Sequence, residues 1–279
     1  MSAAPGSSDW IGARGAQWSA HLTGMEAMLA PVDEPLWQAL RLDGPARIAE
    51  IGCGGGGTAI ELLRRAPDGS VVHGFDVSSR LIAQARARTG SQSRALDFAV
   101  ADMATAVSDA PYDRLISRFG VMFFDDPKAA FANLVRWLAP GGRFAFAVWG
   151  PPAENAWIAR VRDVVSRFVS LPPAEPCAPG PFRYADPEPL RALLTHVGFV
   201  DVEAHDWRGA LPIGGSLPPA EAARFALASF SSFGELLGRA GSDALEGAQR
   251  SLTTCFAEHA RDGAVTLGAR VWIVSGARR

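Results

Sequence analysis

The stretch Glu50-Ile51-Gly52-Cys53-Gly54-Gly55-Gly56-Gly57 ends the apolar run Ala46–Ile51 and decides the fold. A short apolar run that ends in glycines predicts a buried strand followed by a tight turn, because glycine adopts backbone conformations closed to other residues. The segment Thr58–Arg65 follows as a predicted helix, and Thr58 with Glu61 three residues later predicts a capping box. In open α/β sheets, such a strand-to-helix turn lies beside the crevice in which ligands bind.

Further along the chain, predicted strands alternate with predicted helices, and this pattern indicates a doubly wound α/β sheet. We expect seven strands, mostly parallel. No helix follows the last strand, so we expect that strand to pair antiparallel at or near the edge of the sheet. The six predicted strands after the first are Val71–Asp76, Leu96–Val100, Arg114–Phe119, Arg143–Trp149, Phe199–Asp206 and Val265–Val274.

Two helical segments lie outside this alternation, and we expect both to belong to one domain covering 1–279. Residues 1–44 form N-terminal lid helices ahead of a ligand-binding core at 45–208. A helical insertion at 209–263 precedes the last strand at 264–279 and caps the substrate site.

Composition and charge exclude several classes of protein. The chain has 279 residues, of which 48% are hydrophobic and 20% charged, so a mainly disordered chain is excluded. A net charge of −2 gives no reason to expect nucleic acid or an anionic membrane as a partner. The three cysteines, Cys53, Cys177 and Cys255, form neither a disulfide framework nor a metal-binding motif. No apolar run reaches the roughly 18 residues that a membrane span needs, and we expect a cytoplasmic protein.

The glycine loop is compatible with two alternative kinds of ligand, a dinucleotide with a pyrophosphate or a nucleotide that carries a positive charge. Gly52, Gly54 and Gly57 fit the dinucleotide fingerprint G-x-G-x-x-G, which alone is a weak signal. Asp76 ends the second predicted strand, where a carboxylate accepts hydrogen bonds from two ribose hydroxyls. Because both kinds of nucleotide carry that ribose, Asp76 does not distinguish between them.

Two further features favour a cationic nucleotide. Glu50 places a carboxylate inside the strand just before the glycines, where a pyrophosphate needs no negative charge and a cation does. Asp102-Met103 follows the third strand, at the height at which a carboxylate reaches an adenine amino group and a thioether covers the ring.

At this point the chain resembles the class I S-adenosylmethionine-dependent methyltransferases, and within them the ubiquinone/menaquinone C-methyltransferase-like group of small-molecule enzymes. The resemblance implies a Rossmann-like fold. It covers about residues 45–150 closely, and a helix and strand after Asp186-Pro187 match more loosely. The motifs that carry it are Ala49-Glu50-Ile51-Gly52-Cys53-Gly54, Gly74-Phe75-Asp76-Val77-Ser78, Ala101-Asp102-Met103, the run from Ser117 to Pro127, and Leu138-Ala139-Pro140-Gly141-Gly142-Arg143.

This resemblance implies S-adenosylmethionine as cofactor and a role for each matching residue. Gly52 and Gly54 offer their backbone to the methionyl part, and Glu50 lies beneath its ammonium group. Asp76 accepts the ribose hydroxyls and Val77 packs on adenine. Asp102 takes the adenine amino group, Met103 covers the ring, and the carbonyl of Ser117 faces the ammonium. The resemblance gives Arg118 no firm role, and its guanidinium could face either the carboxylate of the cofactor or the substrate.

The acceptor is expected to be a mainly apolar small molecule, such as a quinone, a polyketide or a terpenoid metabolite. The residues expected to bind it are Phe119, Met122, Phe123, Trp149 and Tyr184. Some relatives carry a histidine base after the fourth strand, where this chain reads Gly-Val-Met-Phe-Phe. No catalytic base is therefore assigned, with His21 as a candidate, and His205 or Asp206 as others.

Several questions about function stay open from the sequence. An NAD-dependent oxidoreductase and a non-catalytic S-adenosylmethionine-binding regulatory protein remain alternatives. The methyl acceptor, its reacting atom and the oligomeric state are not indicated. No metal site is expected.

Overall fold

The computed structural model describes residues 7–89, 95–173, 178–230 and 232–279. Cys177 and the first six residues, on which expectations were formed above, lie outside the described residues. Within the described parts, no helix combines the length and the hydrophobicity that crossing a membrane requires.

One mixed sheet forms the centre of the molecule, in the order β3-β2-β1-β4-β5-β8-β6. Neighbouring strands are parallel from β3 through β5, and β8 runs antiparallel to both β5 and β6. The doubly wound, mostly parallel sheet with an antiparallel last strand is thus confirmed. The strands are β1 (Arg47–Ile51), β2 (Val71–Asp76), β3 (Leu96–Val100), β4 (Tyr112–Arg118), β5 (Leu138–Trp149), β6 (Phe199–Pro212), β7 (Ala260–Arg261) and β8 (Ala264–Arg278), with β7 paired only to β8.

The last strand lies one place inside the edge, between β5 and β6. The edge strand is β6, and it is longer than the sequence indicates because its pairing with β8 continues as far as Pro212 opposite Thr266. Residue 209, at which the helical insertion was expected to begin, therefore lies inside β6. The helices of that insertion begin only at Pro219.

Helices cover both faces of the sheet and both ends of the cleft. Among the described residues, four helices precede β1, three lie between β6 and β7, and the others lie between the remaining strands. They are α1 (Ser7–Ile11), α2 (Ala13–Ala20), α3 (Leu22–Leu29), α4 (Asp33–Leu40), α5 (Gly57–Arg65), α6 (Ser79–Thr89), α7 (Pro127–Trp137), α8 (Ala156–Val165), α9 (Glu188–Val197), α10 (Pro219–Ser229), α11 (Phe233–Ala240) and α12 (Ser242–Ala257).

The switch point of this sheet lies between β1 and β4. Strand β1 pairs with β2 on one side and with β4 on the other, and Glu50 stands opposite Gly74 and Ile116 in the two registers. Successive connections leave for opposite faces at this position, and a crevice opens at the carboxyl ends of the two strands. The glycine loop is at that crevice.

The predicted capping box at the start of α5 is wrong. The helix begins at Gly57, and the Thr58 side chain makes no cap. The Oγ1 of Thr58 donates instead to Asp33 on α4, 3.2 Å away, and the carboxylate of Glu26 on α3 accepts from the free Gly57 amide at 3.1 Å. A residue from another helix thus satisfies the helix start, so the local pattern around Glu61 could not reveal it.

Candidate active site

The glycine loop is held against the ends of β2 and β4. The amides of Gly52 and Cys53 donate to the carbonyl of Phe75, at 2.8 and 3.0 Å. Gly52 has a φ of +69°, and a Cβ on it would lie 2.9 Å from the Cα of Gly120 in the loop after β4. Only glycine fits at that close approach, so the two loops meet as backbone and leave the crevice open above them.

Asp76, at the tip of β2, is tied to the same loop. One of its carboxylate oxygens accepts from the Gly54 amide at 2.9 Å, and the other from the Ser78 amide at 2.8 Å. Burial raises the pKa of Asp76, and the backbone hydrogen bonds partly oppose that rise. The amide of Val77 also donates to this carboxylate, and a carboxylate with about four acceptor sites can still accept from a ligand hydroxyl.

Glu50 is a buried carboxylate without a full set of partners. Its side chain is 2% exposed, and among the described residues its Oε2 has no hydrogen-bond partner. Burial raises its pKa to about 8, and the attraction of Arg118 lowers it only in part. An orphaned carboxylate oxygen at the wall of a cleft suits a positively charged ligand, because a cation supplies the missing partner. The residues present therefore fit a sulfonium nucleotide with an ammonium group.

Arg118, at the end of β4, holds a lid helix. Its guanidinium donates to Asp33 on α4 at 3.0 Å, and both side chains are 9% exposed. Burial raises the pKa of Asp33, and Arg118 opposes that rise. The sequence left the role of Arg118 open. In the structure, its ion pair with Asp33 anchors α4 to the end of β4.

Ser117 joins the two central strands. Its Oγ donates to the carbonyl of Ile51 at 2.7 Å and accepts from the Gly120 amide at 3.2 Å. The whole residue is buried and does not line the cavity, so the contact of its carbonyl with a ligand stays a prediction.

The loop after β3 is held by a residue that the sequence reasoning missed. Asp102 accepts from the Ala104 amide at 2.9 Å and is exposed, whereas Met103 is buried. Asn133 on α7 donates to the carbonyls of Met103 and Ala106, at 2.8 and 2.7 Å. A buried asparagine on the otherwise apolar face of a helix was the available signal, since such a group needs partners.

One cavity of about 340 Å³ runs from the glycine loop to an aromatic wall. On that wall Phe119 stacks on Trp149, with ring centroids 4.0 Å apart and planes 6° apart. Trp149 packs on Trp157 of α8 at 4.8 Å, and Trp157 meets Phe230 edge-on at 5.0 Å. The polar strand ends and this wall therefore belong to a single compartment.

The N-terminal helices close the cavity from above. Trp10 packs edge-on against Trp18 at 5.6 Å and against Phe123 at 5.0 Å. Trp10, Arg14 and Trp18 all line the cavity. His21 is half-buried and packs on Phe225 of α10 instead, with centroids 5.9 Å apart.

Most of the residues predicted from the sequence meet in this cavity. Those that line it are Glu50, Gly52, Gly54, Asp76, Val77, Asp102, Met103, Phe119, Met122, Phe123 and Trp149. Ser117, Tyr184 and His21 are not among the lining residues; from the loop before α9, Phe182 lines the cavity and Tyr184 does not.

Beyond assigning residues 1–44 to lid helices, sequence reasoning did not identify the contributions of α1, α2 and α8. Trp157, Ile158 and Arg162 come from one face of α8, and Trp10 and Arg14 come from the lid. Nothing in the local sequence of α8 indicated that these residues face a cavity.

Comparison with known proteins identifies the family. A methyltransferase-domain model matches residues 48–142. Demethylmenaquinone methyltransferase of Thermus thermophilus is 30% identical over 171 residues, which cover 56% of this chain and 74% of that protein. Trans-aconitate 2-methyltransferase of Streptomyces coelicolor is 36% identical over 108 residues, covering 38% of this chain and 35% of that enzyme.

A solved structure supports the fold. Phosphoethanolamine N-methyltransferase 2 of Haemonchus contortus, in complex with S-adenosyl-L-methionine, superposes with a TM-score of 0.53 at 18% identity. The match covers 89% of this chain and 53% of that one. Together with the orphaned Glu50 and the aspartate at the tip of β2, these similarities show that the chain belongs to the class I S-adenosylmethionine-dependent methyltransferases of the quinone-methyltransferase-like kind.

Proposed function

We propose that this methyltransferase acts on a mainly apolar small molecule of quinone, polyketide or terpenoid type. One observation carries the proposal: the strand ends that suit the cofactor and an aromatic wall share one cavity of about 340 Å³. A compartment of that size and lining is typical of small-molecule sites.

For the cofactor, we propose the roles that the family motifs imply. Glu50 balances the positive charge, Asp76 accepts from the ribose, and the backbones of Gly52, Gly54 and Ser117 contact the methionyl part. Val77, Asp102 and Met103 surround the adenine. When bound, S-adenosylmethionine supplies a methyl group already activated by a sulfonium charge. The chain therefore has mainly to orient the acceptor in line with that group.

For the acceptor, the aromatic wall excludes water and offers ring faces to a cation. Phe119, Met122, Phe123 and Trp149 are the proposed contacts, and the stack of Phe119 on Trp149 keeps that wall flat. An aromatic face near a sulfonium stabilises its charge. A dry, flat slot suits a planar or conjugated acceptor.

The acceptor is proposed to bring its own nucleophile. Among the described residues that line the cavity there is no histidine, lysine or tyrosine. His205 and Asp206 are on the edge strand β6, where Asp206 is paired with Arg208 and Arg270. An electron-rich ring carbon or a phenolate oxygen needs no strong base from the protein.

The lid and the cap are proposed to act together over the core. Gln17 on α2 donates to the carbonyl of Ala228 on α10, which joins the two segments directly. Residues 1–44 and the helices within 209–263 would then have to separate for the acceptor to enter.

Incubation with isotopically labelled S-adenosylmethionine and a metabolite extract tests the proposal. We expect label in the small, organic-soluble fraction with the native enzyme and none with Asp76→Ala. Label in protein or nucleic acid would contradict the proposed acceptor class. Tight cofactor binding without any transfer would favour the regulatory alternative.

A further inference from the structure

Arg14 brings a guanidinium into the cavity without a full set of partners. Its Nε is buried, lines the same compartment as the aromatic wall, and has no hydrogen-bond partner among the described residues. Burial lowers the pKa of Arg14, and the more distant charges of Asp9 and Glu235 offset that only in part. An arginine stays protonated even when buried, so this group needs an anion.

Arg14 and Trp18 occupy successive turns of α2 in the lid. A Cβ on Gly54 would lie 3.6 Å from Nε1 of Trp18, so Trp18 is the lid residue over that loop. Arg14 precedes Trp18 by about one helical turn, or about 5.4 Å along α2. From α11, Phe233 lines the cavity and Glu235 attracts the Arg14 guanidinium. Arg14 therefore faces the cap.

A second arginine also belongs to the lining of the cavity. Arg162 is exposed and lines the cavity from the face of α8 that also carries Trp157 and Ile158. The acidic residues that line the cavity come from α3, from β1 and from the ends of β2 and β3: Glu26, Glu50, Asp76 and Asp102. At the end proposed for the cofactor these carboxylates lie with one lining arginine, Arg118, which is paired with Asp33, whereas the Nε of Arg14 has no partner among the described residues.

We infer that the acceptor carries a carboxylate on its conjugated or aromatic framework and that Arg14 binds this carboxylate. The inference rests on the proposed function and narrows its substrate class. A guanidinium holds a carboxylate through two parallel hydrogen bonds, and burial strengthens both. Anchoring the acid there directs the opposite end of the acceptor toward the aromatic wall.

Matched pairs of small probes test this inference. Benzoate with benzamide, and 2-naphthoate with 2-naphthamide, have nearly the same shape and differ in charge. Their dissociation constants are measured by calorimetry on the full chain saturated with S-adenosylhomocysteine. The proteins are the native enzyme, Arg14→Gln, Arg14→Lys and the control Arg224→Gln, which changes an exposed arginine of α10 outside the cavity.

We expect the native enzyme and Arg224→Gln to prefer at least one acid over its amide by about tenfold or more, the size of one charge-assisted pair. Arg14→Gln should reduce that preference to less than about twofold, with S-adenosylhomocysteine affinity within about twofold of the native value. Arg14→Lys, which keeps the charge, should retain part of the preference. Thermal unfolding curves check that each variant is folded.

Two results would overturn the inference. A native enzyme that prefers no acid over its amide has no carboxylate site. A large loss of S-adenosylhomocysteine affinity in Arg14→Gln, with the acid preference intact, would assign Arg14 to the carboxylate of the cofactor. Failure of the native enzyme to bind S-adenosylhomocysteine at all would instead count against the proposed function.

Discussion

The amide of Gly54 donates to the carboxylate of Asp76 across 2.9 Å, and this bond ties the loop after β1 to the tip of β2. The second oxygen of Asp76 accepts from the Ser78 amide, so one side chain orients both loops beneath the proposed ribose position. Asp76 is therefore expected to organise the site before any ligand arrives, as well as to bind the ligand.

The first prediction is that Asp76→Ala raises the dissociation constant for S-adenosylmethionine by about 100-fold or more, since a buried charged acceptor is lost together with the loop geometry it supports. Asp76→Asn should bind about tenfold more weakly than the native enzyme, because one oxygen becomes a donor facing another donor. Calorimetric titration measures both. Asp97→Ala, exposed on β3, is the control and should bind normally. If Asp76→Ala bound S-adenosylmethionine as tightly as the native enzyme, Asp76 would not be the residue that binds the ribose.

A second prediction concerns the pH dependence of cofactor binding. The pKa of Glu50 is about 8 in the free protein, and a cationic ligand binds its ionised form. The fraction ionised rises about eightfold between pH 7.0 and 8.5 for such a pKa, and affinity should follow it. In Glu50→Gln this component should vanish, so the difference between the two proteins isolates Glu50 from the titration of the ligand itself. Parallel pH profiles for the two proteins would exclude this role.

The third prediction follows from the same shift and concerns stability without ligand. Folding raises the pKa of Glu50 from 4.5 to about 8, so between those values the folded protein holds a proton that the unfolded chain has lost. This contribution to the free energy of unfolding is complete below 4.5 and is lost as the pH rises through about 8. Urea titrations at a series of pH values should show a steeper decline for the native protein than for Glu50→Gln. An equal decline in both would mean that Glu50 is ionised in the fold.

The fourth prediction concerns Asn133, a residue that we do not expect to contact the cofactor. It holds the carbonyls of Met103 and Ala106, so Asn133→Ala should release the loop after β3. We expect the KM for S-adenosylmethionine to rise about fivefold to tenfold with a smaller change in kcat, the cost of one or two lost buried hydrogen bonds. Lys128→Ala, exposed on the same helix, should be unaffected. A fall in kcat with no change in KM would place the effect of Asn133 elsewhere.

The fifth prediction separates the acceptor wall from the cofactor site. Phe123→Leu and Met122→Leu should lower turnover more than they weaken cofactor binding, because both residues line the cavity and Phe123 packs on Trp10 of the lid. Leucine is chosen because Met122 is fully buried, and truncation to alanine there would cost about 2–5 kcal/mol of stability. Initial rates give the turnover number, and calorimetry on the same preparations gives the dissociation constant for S-adenosylmethionine. Equal losses would assign these residues to the cofactor site or to the core.

The order of strands and helices, and the glycine loop with its acids, could be predicted because their signals are local. Hydrophobic runs, glycines at the strand end and the aspartate at the end of β2 are read from neighbouring positions. The position of β8 inside the edge could not be read in this way, since it depends on pairing with β6 along most of its length.

The sequence by itself determined the sheet, the switch point and the polar residues at the strand ends, because each follows from the pattern of a few adjacent residues. Only the tertiary structure decided which side chains meet there. Arg118 and Asp33 are 85 positions apart, and the cavity joins Arg14 of the lid to Arg162 of α8. Contacts between such distant segments arise from how the helices pack on the sheet, and that packing is a property of the whole chain rather than of any short stretch of it.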